Sequence, residues 1–228
     1  MSASYGQFCP LAKACEVVTE RWTPLILREL LFGSQRFNEI HRGVPLMSKT
    51  LLSKRLQELE RAGIIERVLA ESGYDAYRLT LAGQELGPIV LQLGAWGKQW
   101  TKSQFTEREL DAGLLMWDMR RRILQSSLPE GKIVVHFVYR DAPIGRNSWW
   151  LVMDRREVDL CLVDPGCDSD LTVTTSVAVM AGIWMGDRSM GADLQSGELK
   201  IEGDAKLRKL FPTWLLLSTA ADIERRAG

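Results

Sequence analysis

The chain has 228 residues, with 29 Lys/Arg balanced by 29 Asp/Glu, 46% hydrophobic and 25% charged residues, the composition of a folded chain long enough for two domains. No apolar run approaches the roughly 20 residues of a membrane span, and Met1–Gln7 lacks the basic and apolar regions of a secretion signal, so the expected location is cytoplasmic with no membrane partner. Cys9, Cys15, Cys161 and Cys167 form no CxxC pair and only His41 and His136 accompany them, which argues against structural zinc or a disulfide framework, and no cofactor is called for.

Charge is unevenly spread. Residues 1–103 carry 13 Lys/Arg against 10 Asp/Glu, whereas residues 104–228 carry 16 against 19. Between Arg36 and Arg55 five basic residues (Arg36, Arg42, Lys49, Lys54, Arg55) face a single acid, Glu39. Such a patch suits a local polyanion contact, and equally a solvated charged face.

Pro10 suits a first helical turn, and Leu11, Ala14, Val17 and Val18 follow at helical spacing, predicting a helix over 10–20. A second helix starts at Thr23-Pro24, with Thr23 as its cap, and runs to Gly33 on the stripe Leu25, Ile26, Leu30 and Leu31. Arg36–His41 is a short helical turn with Phe37 and Ile40 facing in, and Gly43-Val44-Pro45 is a tight connection. Ser48 then caps a helix that Gly63 stops, Ser48–Ala62. Two helices joined by a short turn form a helix-turn-helix.

At about 100° per residue, Leu52, Leu56 and Leu59 make the buried stripe of that last helix. Opposite lie Thr50, Lys54, Gln57 and Arg61, with Ser53 at the edge. These groups can bond base edges and phosphates; an ordinary amphipathic helix would show the same face. The segment after Gly63 separates the two readings. Ile64–Val68 and Ala76–Thr80 read as strands around a Glu71–Asp75 turn, so a hairpin wing comes directly after the basic-faced helix, with Tyr74 and Arg78 as candidate contacts. One long helix is expected from Thr80 to Ser103, its stripe Leu86, Ile89, Val90, Leu93, Trp96 and Trp100 covered by the rest of the chain or by a second subunit. A homodimer is expected, because two-fold half-sites match two-fold protein symmetry.

The stretches Cys9–Ala12, Arg21–Leu30, Arg36–Ile40, Met47–Leu56 and Tyr77–Thr80 with Gly83 resemble the HxlR-type winged helix-turn-helix regulators, a branch near the MarR family. The resemblance covers residues 8 to about 100. It implies a dimer on double-stranded DNA with a palindromic operator. Carried over by position, Arg36, Lys49 and Arg55 would hold phosphates, and Thr50, Ser53 and Lys54 would read bases beside Ser48. Thr19-Glu20 stands where the family has a glycine-containing turn; the expected effect is a longer first helix, away from the DNA face. Cys9 falls where several members carry a redox-responsive thiol; a small buried residue beside Pro10 is the alternative.

In the second half, 107–128 reads as one helix with an arginine triplet, Arg120–Arg122, on a solvated face or in an ion-pair cluster. Beyond Gly131 the period becomes two. Strands are expected at Ile133–Tyr139, Trp149–Met153, Glu157–Val163, Asp170–Thr174 and Leu199–Asp204, with helices at Ser176–Met185, Ser189–Ser196 and Ala205–Ala221. The fold class is α+β: a winged helix-turn-helix, then an antiparallel sheet covered by helices on one face. The expected division is 1–105 for DNA binding and dimerisation, 106–128 as a connecting helix, and 129–228 as a ligand-binding domain.

Asp170–Thr175, Gly186-Asp187, Leu194–Gly197 and Leu199–Asp204 resemble the sterol carrier protein-like domain, which implies an apolar small-molecule or lipid effector. Pocket candidates are Phe137, Trp149, Met153, Leu160, Met180, Trp184 and Trp214. At these spacings the same residues also make an ordinary core. No GxSxG, HExxH, P-loop or GxGxxG sequence stands in its required context, so catalysis is not expected. The leading expectation is an effector-responsive transcriptional regulator. A lipid-binding protein whose winged helix serves protein contacts, or a thiol sensor acting through Cys9, are the alternatives.

Overall fold

The computed structural model describes residues 4–69, 73–101, 105–106 and 109–226. The chain divides into two compact units, Met1–Gly97 and Lys98–Gly228.

The first unit opens with α1 (Pro10–Val18) and α2 (Thr23–Leu31). Thr19 closes α1, so Thr19-Glu20 does not lengthen the first helix. Thr23 is not a cap. Trp22 holds that position in the left-handed region, φ 78°, and Thr23 falls inside the first turn. The bulky ring of Trp22 makes this an uncommon, strained backbone.

α3 (Phe37–Gly43) starts where the Gln35 and Arg36 N–H groups donate to Glu39 Oε2 at 2.9 and 3.0 Å. α4 (Lys49–Arg61) starts at Ser48, whose Oγ accepts from the Leu51 N–H at 3.2 Å. Gly63, at φ +70°, ends it. There the Ile64 N–H donates to the Leu59 carbonyl at 3.0 Å, a left-handed stop that glycine adopts without steric cost. β1 (Ile65–Leu69) and β2 (Asp75–Leu79) pair antiparallel, with Arg67 opposite Tyr77. Part of the expected Glu71–Asp75 turn lies outside the described residues.

The expected single helix from Thr80 is two helices, α5 (Leu81–Glu85) and α6 (Gly87–Trp100), and Ser103 lies outside the described residues. Pro88 explains the break: it lacks the N–H that would continue the ladder to the Gln84 carbonyl, and it falls in the first turn of the new helix, where that loss costs nothing. Ile26, Ile40, Met47, Leu52, Leu56, Leu59 and Ile65 form the core of this unit.

The second unit holds α7 (Ala112–Arg121), β3 (Ile133–Tyr139), β4 (Ser148–Met153), β5 (Val158–Cys161), β6 (Leu171–Thr175), α8 (Val177–Trp184), α9 (Met190–Ser196), β7 (Lys200–Gly203) and α10 (Ala205–Leu210). Its five-stranded sheet has the order β5-β4-β3-β6-β7. The sheet is mixed rather than antiparallel throughout, because β6 runs parallel to β3, Val135 opposite Leu171. β3 is the central strand, which its nearly continuous apolar run Ile133–Tyr139 suits.

Two expected helices stop early for one reason. The chain leaves α7 and bridges Ile123 to Leu215, while the Leu124 N–H donates to the Trp214 carbonyl at 2.7 Å. The closing helix ends at Leu210 and turns through a 3-10 stretch, Phe211–Trp214, that contains Pro212. The arginine triplet clamps this region. Arg120 Nε donates to the Val158 carbonyl and Arg122 Nε to the Leu216 carbonyl, both at 2.7 Å, and Arg121 pairs with Asp118.

Candidate nucleic-acid interface

The outer face of α4 is built by subtraction. Leu52, Leu56 and Leu59 are turned into the core, so Ser48, Lys49, Thr50, Ser53 and Lys54 stand exposed. Ser48 spends one oxygen lone pair on the Leu51 N–H and keeps its hydroxyl proton. Lys54 is 4.0 Å from Glu58 with its side chain 66% exposed, a contact too loose to hold the ammonium from another partner.

Arg55 behaves differently from its neighbours. Its Nη2 lies 2.9 Å from Glu20 and its Nη1 donates to Glu58 at 2.6 Å, and the side chain is 14% exposed. The guanidinium that was expected on a phosphate is turned inward instead. Glu20, expected to lie away from the reading face, anchors the helix that carries it. The structure thus separates Arg55 from Lys49, with which it was expected to hold phosphates.

The wing is tied to the helix-turn-helix. The Tyr77 N–H donates to the Gln35 carbonyl at 2.8 Å, next to Arg36. The Arg36 guanidinium sits over the ring of Tyr74, 5.2 Å from its centroid, and both residues are exposed. Such a stack holds a cation in place while leaving its outer edge open. Arg78 is exposed on β2, opposite Glu66, and Arg67 pairs with Asp75 across the hairpin.

The turn before α4 rests on a buried acid that the sequence reading missed. Glu29, fully buried, accepts from Arg28 Nη2 at 2.9 Å and from Ser34 Oγ at 3.3 Å. Arg28 Nη2 also donates to the Gly43 carbonyl at 3.0 Å. A Cβ at Gly43 would lie 1.9 Å from the Glu29 carboxyl carbon, so only glycine fits. His41 Nε2 lies 2.9 Å from the Met47 carbonyl and closes the same turn. The available signal was an acid inside the apolar stripe Ile26, Leu27 and Leu30.

Residues 17–105 match the HxlR-like helix-turn-helix family. The uncharacterized HTH-type transcriptional regulator YvaP of Bacillus subtilis is 38% identical over 105 residues, which are 45% of this chain and 97% of that protein. The chain belongs to the HxlR-like helix-turn-helix family. Its N-terminal unit is accordingly the DNA-binding helix-turn-helix of a transcriptional regulator, in which α4 is the second helix of the motif.

The uncharacterized regulator Rv3095 of Mycobacterium tuberculosis is 40% identical over 92 residues, 40% of this HxlR-like chain, which spans 58% of that protein's length. The redox regulator HypR in its oxidized form is 31% identical, covering 42% of this chain and 100% of that one with a TM-score of 0.39. The family match ends at residue 105. Beyond it the HxlR-like chain carries the sheet-rich unit described above, so the whole is a mixed α+β protein.

In that second unit the seven pocket candidates lie in or against one hydrophobic core. Phe137, Met153, Met180, Trp184 and Trp214 are buried core residues, and Trp149 and Leu160 pack against them half-buried. Tyr139 lies among them, its hydroxyl donating to Met116 Sδ at 3.1 Å, and burial pushes its ionisation well above the ordinary tyrosine range. On the other face of the sheet the rings of His136 and Trp150 stack at 4.5 Å, and burial lowers the pKa of His136. Among the described residues, no helix is long and apolar enough to cross a membrane.

Proposed function

We propose that this regulator binds a palindromic duplex operator as a homodimer in the cytoplasm. Thr50, Ser53 and Lys54 read bases; Ser48, Lys49, Arg36, Tyr74 and Arg78 fix the backbone register. The observation that carries the reading is the face of α4: five exposed polar residues over its first two turns, none closed off by a strong internal partner. Arg55 is assigned to positioning, not to phosphate contact.

The dimer rests on α6. Ile89, Leu93, Trp96 and Trp100 are exposed along it at helical spacing, 46% to 59% for each residue, an apolar stripe that a second copy would cover. The sequence-based division at 105 and 128 is kept as a functional one, with the second unit as a sterol carrier protein-like effector domain. An apolar effector there would have to open the packed core at its half-buried edge, Trp149 and Leu160.

The test is binding to the DNA upstream of the protein's own gene against random duplex of equal length. Preference for the upstream DNA, with two protomers per site, supports the reading; equal affinity for both refutes it.

A second reading, thiol sensing, is favoured by the place of Cys9. It sits half-buried as a free thiol at the N-cap of α1. Loss of operator binding on diamide treatment, abolished by Cys9→Ser, would establish it; unchanged binding would exclude it.

A further inference from the structure

Val44-Pro45-Leu46-Met47 is a tight turn directly before α4. The Met47 N–H closes it by donating to the Val44 carbonyl at 2.9 Å. Pro45 is second in the turn, where its fixed φ is already the one required, and Leu46 is third. Both ends are anchored. Val44 and Met47 are 1% and 2% exposed, and His41 Nε2 lies 2.9 Å from the Met47 carbonyl. Leu46 is turned the other way, 80% exposed. The chain runs out, in, out over Leu46, Met47 and Ser48, so the leucine emerges at the end of α4 that carries the exposed Ser48, Lys49 and Thr50.

A lone exposed leucine is ordinary on a protein surface. Its setting distinguishes this one in two ways. It stands on the approach to the reading helix, in a stretch from Ile40 to Gln57 that carries Arg42, Lys49, Lys54 and Arg55 and no acid. That stretch has no charge to repel a phosphate backbone. The leucine is also presented by a closed, proline-containing turn, so little backbone freedom is left to lose when it is covered.

We propose that Leu46 is a specificity-determining residue that reads thymine. With the N-terminal end of α4 in the major groove, its isobutyl group packs on the C5-methyl of a thymine flanking the bases met by Thr50 and Ser53. Thymine alone offers a methyl group in that groove; the other base edges offer polar groups that an aliphatic side chain leaves without a partner. Leu46 makes no hydrogen bond, so it adds preference at one position and no affinity for the backbone. This rests on the reading role proposed for α4 and extends it to the turn before the helix. Thr50 also carries a methyl group, and the test separates the two.

The full-length protein selects duplexes from a random pool, alongside Leu46→Ala, Leu46→Met and Thr50→Ala. The wild type and Leu46→Met should enrich one motif with a fixed thymine in each half-site. Leu46→Ala should lose that preference and keep the rest of the motif, with an unchanged melting temperature because the side chain is already in solvent. The thymine of one half-site is then replaced by uracil, which removes only the methyl group. Wild-type affinity should fall about fourfold, the worth of one buried methyl-sized group, and that of Leu46→Ala should not change. The same motif from Leu46→Ala, as expected if a protein partner covers the leucine instead, would overturn the proposal. So would an equal uracil penalty in both proteins; its loss in Thr50→Ala would then move the contact to Thr50 and leave the reading role of α4 standing. A wild type that enriches no motif would remove that role, and the assignment of Leu46 with it.

Discussion

The guanidinium of Arg36, at the start of α3, rests 5.2 Å from the ring centroid of Tyr74, on the wing. The two residues come from opposite ends of the helix-turn-helix and wing. They meet because the Tyr77 N–H donates to the Gln35 carbonyl at 2.8 Å. One cation is thereby held at the junction of two elements that are proposed to face the nucleic acid.

Arg36→Ala should therefore weaken DNA binding about equally for all sequences. It should lower the slope of log affinity against log salt by about 1. Tyr74→Ala should have a smaller effect of the same kind, since the arginine keeps its charge and loses its platform. Fluorescence anisotropy over a salt series separates these effects; a loss of preference at one base position would contradict a phosphate role.

Arg55 and Lys49 should behave oppositely. Arg55→Ala removes charged bonds to Glu20 and Glu58 at 2.9 and 2.6 Å, and should cost about 1–3 kcal/mol in urea unfolding. Lys49→Ala, at an exposed position, should change stability by less than about 0.5 kcal/mol and still weaken DNA binding. A stable Arg55→Ala protein with lost phosphate contact would reverse the assignment.

Gly43→Ala places a methyl group 1.9 Å from the carboxyl carbon of the buried Glu29. The carboxylate cannot retreat without leaving Arg28 and Ser34, so the expected cost is about 3 kcal/mol, the upper end for overpacking. Denaturant midpoints of the two proteins give the number. A change below about 1 kcal/mol would mean that the turn before α4 is not held by this contact.

In the second unit Lys98, with its side chain 2% exposed, pairs with Asp187 and donates to the Met185 carbonyl at 2.8 Å. Arg225, bonded at 2.8 Å, and then Lys98 hold the Asp187 carboxyl below its ordinary 3.8, against the opposing effect of burial. A lowered native carboxylate pKa means stability that is complete above about pH 4 and is lost as the pH falls through the native value. Asp187→Asn should flatten that acid limb and, by leaving Lys98 buried without its counter-charge, cost about 2–4 kcal/mol at neutral pH. Thermal unfolding of the full chain from pH 2 to 7 measures both effects.

Local signals carried α4 and the wing into the sequence reading. Ser48 and Gly63 are chemical stop signs for a helix, and the leucine stripe at helical spacing says which face is buried. They do not say which way a long side chain turns. Arg55 lies beside Lys54 in the sequence, but its guanidinium is directed by Glu20, in the connection between α1 and α2, and that contact has no local trace. Thr23-Pro24 has the appearance of a cap, yet the left-handed Trp22 claims the position, a tertiary choice against local preference. In the second unit the alternation of β3 marks its core face without revealing that β6 lies parallel beside it. The apolar pocket candidates were ambiguous in the same way, since core and cavity wall use the same residues at the same spacing.

The central claim is that the exposed face of α4 reads sequence. The most direct measurement is selection of duplexes from a random pool by the wild-type protein and by Thr50→Ala/Lys54→Ala, each checked for unchanged folding. The account predicts that the wild type enriches one palindromic motif, with half-sites about one helical turn apart. The folded double variant should bind duplex with that preference lost. Enrichment of the same motif by both proteins would contradict it.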